Sequence, residues 1–129
     1  CTRYLKQLEE FKDKFYELGI SITLASVDPK EKAAAHLQEM GVSFPIAYDL
    51  SIEQMKSLGL YISHPRSAQE TDRPFSEPGL FIINDQGQVQ VTDISNAPFV
   101  RPELNSLAAG LGFIRNPENN YPIRGTFSN

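Results

Sequence analysis

The residue best suited to chemistry in this 129-residue chain is Cys1, its only cysteine. From Tyr4 to Leu18 apolar residues recur every three or four positions, which predicts an amphipathic helix that begins beside Cys1. Unpaired N–H groups and the dipole at a helix N-terminus stabilise a thiolate, the reactive form of cysteine. The position of Cys1 therefore predicts a nucleophilic thiol, the alternative being a small buried apolar residue.

Composition excludes several other kinds of site. A single cysteine cannot form an internal disulfide, and with only His36 and His64 beside it no metal-ligand spacing arises, so we expect no metal and no cofactor. The 12 basic residues form no cluster and the net charge is −4, which disfavours nucleic acid. No apolar run approaches the length of a membrane span. One domain over residues 1–129 is expected.

The elements that must position Cys1 alternate between helices and strands. Periodicity and cap residues predict helices over 4–18, 29–40, 51–58 and 102–111, and strands over 20–27, 42–48, 80–84 and 89–94. Asp28 is the expected N-cap of the second helix, and Gly41 its C-cap. This order predicts an α/β fold in which helices flank one mixed sheet. The strands 20–27 and 80–84 are expected at its buried centre.

One long stretch, from Leu60 to Pro78, has no periodicity. Loops of this length are usually either functional or disordered. Tyr61, His64 and Phe75 are its candidates for the wall of a site. His64 has the acid–base chemistry that a thiol site uses, whereas a solvated turn histidine is the alternative.

Several segments resemble, in order, motifs of the alkyl hydroperoxide reductase/thiol-specific antioxidant (peroxiredoxin-like) family of the thioredoxin-like superfamily. They are Cys1-Thr2 with Ser26-Val27-Asp28, Phe44-Pro45 with Asp49, Gly79-Leu80-Phe81-Ile82-Ile83-Asn84, and Asn96-Ala97-Pro98-Phe99-Val100-Arg101. The resemblance implies a thioredoxin-like (peroxiredoxin-type) fold that lacks its N-terminal strands here. It also implies an antioxidant thiol-disulfide oxidoreductase or thiol-dependent peroxidase. The alternative is a redox-inactive thioredoxin-fold interaction domain or scaffold, since a protein can keep its fold after it has lost its catalytic activity.

The chain departs from the family at Pro78, where peroxiredoxins place an arginine before Gly-Leu-Phe. Thioredoxins have a cis-proline at this point that opens the backbone to substrate. The resemblance therefore implies a cis bond between Glu77 and Pro78, close to the Cys1 sulfur. The alternative is a trans-proline that only begins a strand.

A second departure is Tyr4, where the family commonly carries a glutamate that pairs with the arginine matched by Arg101. Without that glutamate, we expect Arg101 to form a surface or interface ion pair near Asp93 or Glu103.

The resemblance leaves two roles for Cys1. It is either the peroxidatic cysteine of a T-x-x-C motif or the second, resolving cysteine of a C-x-x-C motif. The residue three positions upstream decides between them, and Pro78 favours C-x-x-C. A hydrolase that uses Cys1 as an N-terminal nucleophile is disfavoured, because such chains begin on a strand.

The residues of the expected site follow from these patterns together with the resemblance. Cys1 is the expected catalytic residue, and the expected substrate-binding residues are Thr2, Tyr61, His64, Glu77 and Pro78. The implied partners are a thiol reductant such as thioredoxin or glutathione and a peroxide or disulfide substrate, with a homodimer as an open alternative to the monomer. The expected location is the cytoplasm.

Overall fold

The computed structural model describes residues 2–67 and 71–127, in which four α-helices and six short strands form. The helices are α1 (Thr2–Glu17), α2 (Lys30–Met40), α3 (Ile52–Ser57) and α4 (Leu104–Arg115). The strands are β1 (Leu24–Ala25), β2 (Ile46–Ala47), β3 (Ile62–Ser63), β4 (Phe75–Ser76), β5 (Gly79–Ile83) and β6 (Val89–Ile94). None of the helices in this part of the chain is long and apolar enough to cross a membrane.

The helices lie where periodicity and cap residues predict them, apart from shifts at their ends. Gly41 ends α2 in the left-handed conformation, and Ser51 begins α3 with reciprocal side-chain hydrogen bonds to Gln54. The expected cap by Asp28 is wrong, because Pro29 occupies the N-cap of α2 and no side chain caps it. The Asp28 carboxylate instead accepts a hydrogen bond from Thr71 at 3.4 Å.

Two apolar clusters form the core, one on each side of α1. Phe15 of α1 is buried against Leu104, Ala108 and Leu111 of α4. The second cluster lies around the end of α2 and contains Leu37, Val42 and Phe44. Leu8 and Ile22 contact both clusters, so the two clusters meet along α1.

The strands pair differently from the expected single sheet. Within the described residues they form three two-stranded ladders, of which β1–β2 is parallel and both β3–β4 and β5–β6 are antiparallel. The expected central strand β5 is only half-buried, and Ile83 at its end is 55% exposed. β5 is less buried than expected because it is not hydrogen-bonded to β1, and no described strand connects the two.

The segment that lacks periodicity contains structure that local patterns did not indicate. Ile62 pairs with Ser76, and Ser63 pairs with Phe75, which form the β3–β4 ladder. Farther along, the Arg73 guanidinium donates to the Val27 carbonyl at 3.1 Å and lies 3.4 Å from the Asp49 carboxylate. These contacts attach the segment to the end of β1.

Glu9 links α1 to the turn before β2 through hydrogen bonds. Its carboxylate accepts a hydrogen bond from the Ser43 backbone N–H at 3.1 Å and from the Lys12 ammonium at 2.7 Å. The bond from Lys12, and then that from the Ser43 backbone, lowers the pKa of Glu9 below its usual value. Because the pKa is lower in the folded state, the carboxylate stabilises the fold above the unfolded pKa, and this contribution is lost as pH falls through the folded pKa.

We expect Glu9→Gln to lower the free energy of unfolding at pH 7 by up to about 1 kcal/mol, the scale of a partly exposed ion pair. The difference from the parent should shrink toward zero in acid, and denaturant unfolding at a series of pH values measures it. Glu10→Gln is the control, because Glu10 is the next residue along α1 and is exposed. An equal, pH-dependent loss in both variants would contradict this prediction.

Candidate functional site

The site is built around the first turn of α1. Thr2, predicted to bind substrate, is the first residue of this helix, whereas Cys1, the predicted catalytic residue, lies outside the described residues. With 16 residues, α1 presents a full helix dipole and its unpaired N–H groups at this end. The described geometry therefore concerns the residues that surround this turn.

Tyr4 and Arg101 form the first contact of the site. The Tyr4 hydroxyl donates to the Pro102 carbonyl at 2.9 Å, and the Arg101 guanidinium carbon lies 5.1 Å from the centre of the Tyr4 ring. This is a cation–π arrangement, and both side chains are half-buried. The ring of Tyr4 thus lies against the Arg101 guanidinium at the start of α1, and the ion pair of Arg101 near Asp93 or Glu103 stays a prediction.

The electrostatics keep these two groups in different charge states. Burial lowers the pKa of Arg101, while the phenolate form of Tyr4 and the negative charge of Glu77 oppose that shift. Burial raises the pKa of Tyr4, which Arg101 opposes. Since an arginine guanidinium stays protonated in proteins, Arg101 is a cation beside a neutral phenol at neutral pH. A cation next to a helix N-terminus favours an anion at this place.

Glu77 is held at the end of the β3–β4 ladder. Its carboxylate accepts a hydrogen bond from the Ser63 hydroxyl at 2.7 Å, and its backbone N–H donates to the Tyr61 carbonyl at 2.9 Å. The charge of Glu77 acts on Arg101 and helps to keep the guanidinium protonated. Glu77 lines the same cleft as Tyr4 and Arg101.

The peptide bond between Glu77 and Pro78 is trans, so the prediction of a cis-proline is wrong. Pro78 directly precedes β5, and its carbonyl accepts a hydrogen bond from the Ser95 N–H at 3.0 Å. A proline fits here because the first position of a strand does not require a donor. Pro78 thus begins the β5–β6 hairpin, and the thioredoxin-like substrate clamp has no support.

The remaining candidates separate into two groups. His64 and Phe75 line a cleft of about 2030 Å³ together with Glu77 and Pro78, although His64 is largely exposed. The Tyr61 side chain is 56% exposed and does not line this cleft, so only its backbone takes part in the site. The structure therefore brings His64, Glu77 and Pro78 to one cleft and leaves the Tyr61 ring in solvent.

Sequence reasoning missed two features of this site. The first is the burial of Arg101 against Tyr4, which depends on contact between residues 97 positions apart. The match of Arg101 to the family motif was the only signal for it. The second is Ser63, whose hydroxyl orients Glu77 and for which no local pattern gave a signal.

The comparisons with known proteins define first the class of fold. The structure is similar to a cysteine-to-serine mutant of peroxiredoxin 6 from Arenicola marina, with a TM-score of 0.70 and 17% sequence identity over 91% of this chain and 56% of that chain. It is also similar to the mitochondrial 2-Cys peroxiredoxin from Plasmodium falciparum, with a TM-score of 0.72 and 18% identity over 95% of this chain and 71% of that chain. The fold is thus the thioredoxin-like fold of peroxiredoxins.

The AhpC/TSA family model matches residues 1–92, which is most of the chain. The chain belongs to the AhpC/TSA family. No curated protein sequence matches it significantly. The chain spans just over half the length of the Arenicola peroxiredoxin.

Proposed function

We propose that this chain is the catalytic domain of a thiol-dependent peroxidase in which Cys1 is the attacking sulfur. Membership of the AhpC/TSA family supports a redox role. The observation that carries the finer proposal is the position of Arg101, half-buried over Tyr4 in the first turn of the helix that follows Cys1. A guanidinium and a helix N-terminus both favour a thiolate. The same charge stabilises the oxygen anion that forms as a peroxide bond breaks.

The reaction proceeds in balanced steps. The Cys1 thiolate attacks one peroxide oxygen, so that an S–O bond forms while the O–O bond breaks. The leaving oxygen takes up a proton and departs as water or an alcohol, and Cys1 becomes a sulfenic acid. A thiol then displaces water from the sulfenic acid and forms a disulfide, which a reductant such as thioredoxin or glutathione returns to the thiol.

The trans bond at Pro78 bears on the choice between the two redox chemistries. Preference for a C-x-x-C thiol-disulfide oxidoreductase rested on a cis-proline clamp and on the absence of an arginine near the cysteine. The first argument is lost because the bond is trans. The second is weakened because Arg101 supplies a cation at the start of α1 by a different route. Peroxide reduction is therefore the activity we favour.

The test is the reaction of the full-length protein with hydrogen peroxide, followed by mass spectrometry. We expect Cys1 to gain one oxygen atom and to be trapped by a sulfenic-acid reagent. If Cys1 instead forms mixed disulfides while staying inert to peroxide, thiol-disulfide exchange replaces our proposal. If Cys1 reacts with neither, the chain is a scaffold that kept the fold.

A further inference from the structure

Tyr4 contacts the segment between β6 and α4 in two ways. Its hydroxyl donates to the Pro102 carbonyl at 2.9 Å, although the two residues are 98 positions apart. Its ring lies against the Arg101 guanidinium, whose central carbon is 5.1 Å from the ring centre. One side chain of the first turn of α1 therefore contacts both the charged group of Arg101 and the backbone that follows it.

The core holds the ring of Tyr4 in place. Tyr4 is half-buried and packs against the buried cluster between α1 and α4. A tyrosine side chain has only two rotatable bonds, so it loses little conformational entropy when it is held in one position. The hydrogen bond to Pro102 fixes the outer end of the ring. Tyr4 is thus a rigid support between the core and the Arg101 guanidinium.

This support carries no charge at neutral pH. Burial raises the pKa of Tyr4, so its hydroxyl stays protonated. The face of an aromatic ring attracts a cation and leaves the net charge of that cation unchanged. A carboxylate in the same place would also attract the guanidinium, but it would cancel the charge. The ring of Tyr4 therefore holds a cation whose charge can still act on a third group.

Three carboxylates act on this pair, each from a different part of the fold. Glu77, which follows β4, acts on Arg101. Asp93 of β6 and Glu103, the N-cap of α4, act on Tyr4. None of these three residues lies on α1, whose contribution to the pair is the neutral ring.

We propose that Tyr4 is a positioning residue: its ring holds the Arg101 guanidinium beside the first turn of α1 and, being neutral, leaves the positive charge to stabilise an anion there. This proposal rests on the proposed function, in which the anion is the Cys1 thiolate. Because the ring acts through Arg101, its loss should have no effect on Cys1 once Arg101 has been removed.

The test compares three variants of the full-length protein, Tyr4→Phe, Tyr4→Leu and Tyr4→Glu. The reaction of Cys1 with iodoacetamide is followed by mass spectrometry over a range of pH, because only the thiolate reacts and the midpoint of the profile reports the pKa of the thiol. In Tyr4→Leu we expect about tenfold slower alkylation below the midpoint of the parent, which corresponds to a midpoint about one pH unit higher.

The other two variants separate the ring from its charge and its hydroxyl. Tyr4→Phe should react within about twofold of the parent, because it keeps the ring and loses only the hydroxyl. Tyr4→Glu should move the midpoint to higher pH at least as far as Tyr4→Leu, because its carboxylate neutralises Arg101. The double variant Tyr4→Leu, Arg101→Met should react at the rate of Arg101→Met alone.

Phe11→Leu is the matched control. Phe11 is also a half-buried ring of α1 that packs against the same cluster, and the Lys14 ammonium lies 4.9 Å from its centre. Its replacement should lower the thermal midpoint much as Tyr4→Leu does, but it should leave the pH profile of Cys1 unchanged. If Tyr4→Leu does not fold, Tyr4→Met takes its place, because methionine adapts to the shape of the space that the ring leaves.

A parent-like profile in Tyr4→Leu, or the same shift in Phe11→Leu, would overturn the proposal. So would a Tyr4→Phe variant as slow as Tyr4→Leu, since the hydroxyl and not the ring would then be responsible. A further loss in the double variant would also overturn it, because Tyr4 would then act independently of Arg101. Alkylation does not involve peroxide, so a protein that fails to reduce peroxide still reports the effect of Tyr4 on Cys1.

Discussion

Replacement of Cys1 by serine in the full-length protein is expected to reduce peroxide consumption by at least about 10³-fold, as is typical when a nucleophile is removed. A serine hydroxyl does not ionise near neutral pH, and neither a helix N-terminus nor Arg101 supplies enough stabilisation to change that. The measurement is the initial rate of hydrogen peroxide loss in the presence of a thiol reductant. The thermal midpoint of the variant should match the parent, because serine and cysteine side chains are similar in size.

Two other outcomes of the Cys1→Ser experiment are informative. A variant that accumulates a covalent adduct with its substrate would identify Cys1 as the resolving thiol, because the first attack then occurs elsewhere. A variant with full peroxidase and reductase activity would show that Cys1 has no catalytic role. Either result contradicts the proposal that Cys1 attacks peroxide.

Replacement of Arg101 by methionine is expected to slow the reaction of Cys1 with peroxide by about 10²-fold, the usual cost of losing one charge-stabilising group. Arg101→Lys should recover part of the rate, because it keeps the charge but loses the flat stacking of the guanidinium on Tyr4. The pH dependence of this rate should also shift to higher pH in Arg101→Met, because the Cys1 thiolate is then less stabilised. A purely structural role would not move that profile.

Arg115→Met is the matched control for Arg101→Met. Arg115 is exposed, and it donates to the Leu18 carbonyl at 3.0 Å, beyond the opposite end of α1. Its loss should leave both the rate and the pH profile unchanged. If the two methionine variants behave alike, or if Arg101→Met reacts at the parent rate, the electrostatic role of Arg101 is refuted.

Local signals predicted the helices well. The apolar spacing from Tyr4 to Leu18 predicted α1, and the cap residues Ser51 and Gly41 marked ends of α3 and α2. These features depend on side chains and backbone conformations within a few positions of each other, so the sequence contains them directly. The family motifs, spread over most of the chain, were also sufficient to predict the class of fold.

Only the tertiary structure decided the pairing of strands and the geometry of the site. Strands predicted over 20–27 and 42–48 shortened to two residues each, because a residue counts as strand only where a neighbour supplies hydrogen bonds. Pro78 was compatible with a cis or a trans bond, and only the structure shows that the bond is trans. The stacking of Arg101 on Tyr4, which is far away in sequence, was not predicted. Strand pairing and burial both depend on partners that are distant along the chain, and local sequence patterns do not identify those partners.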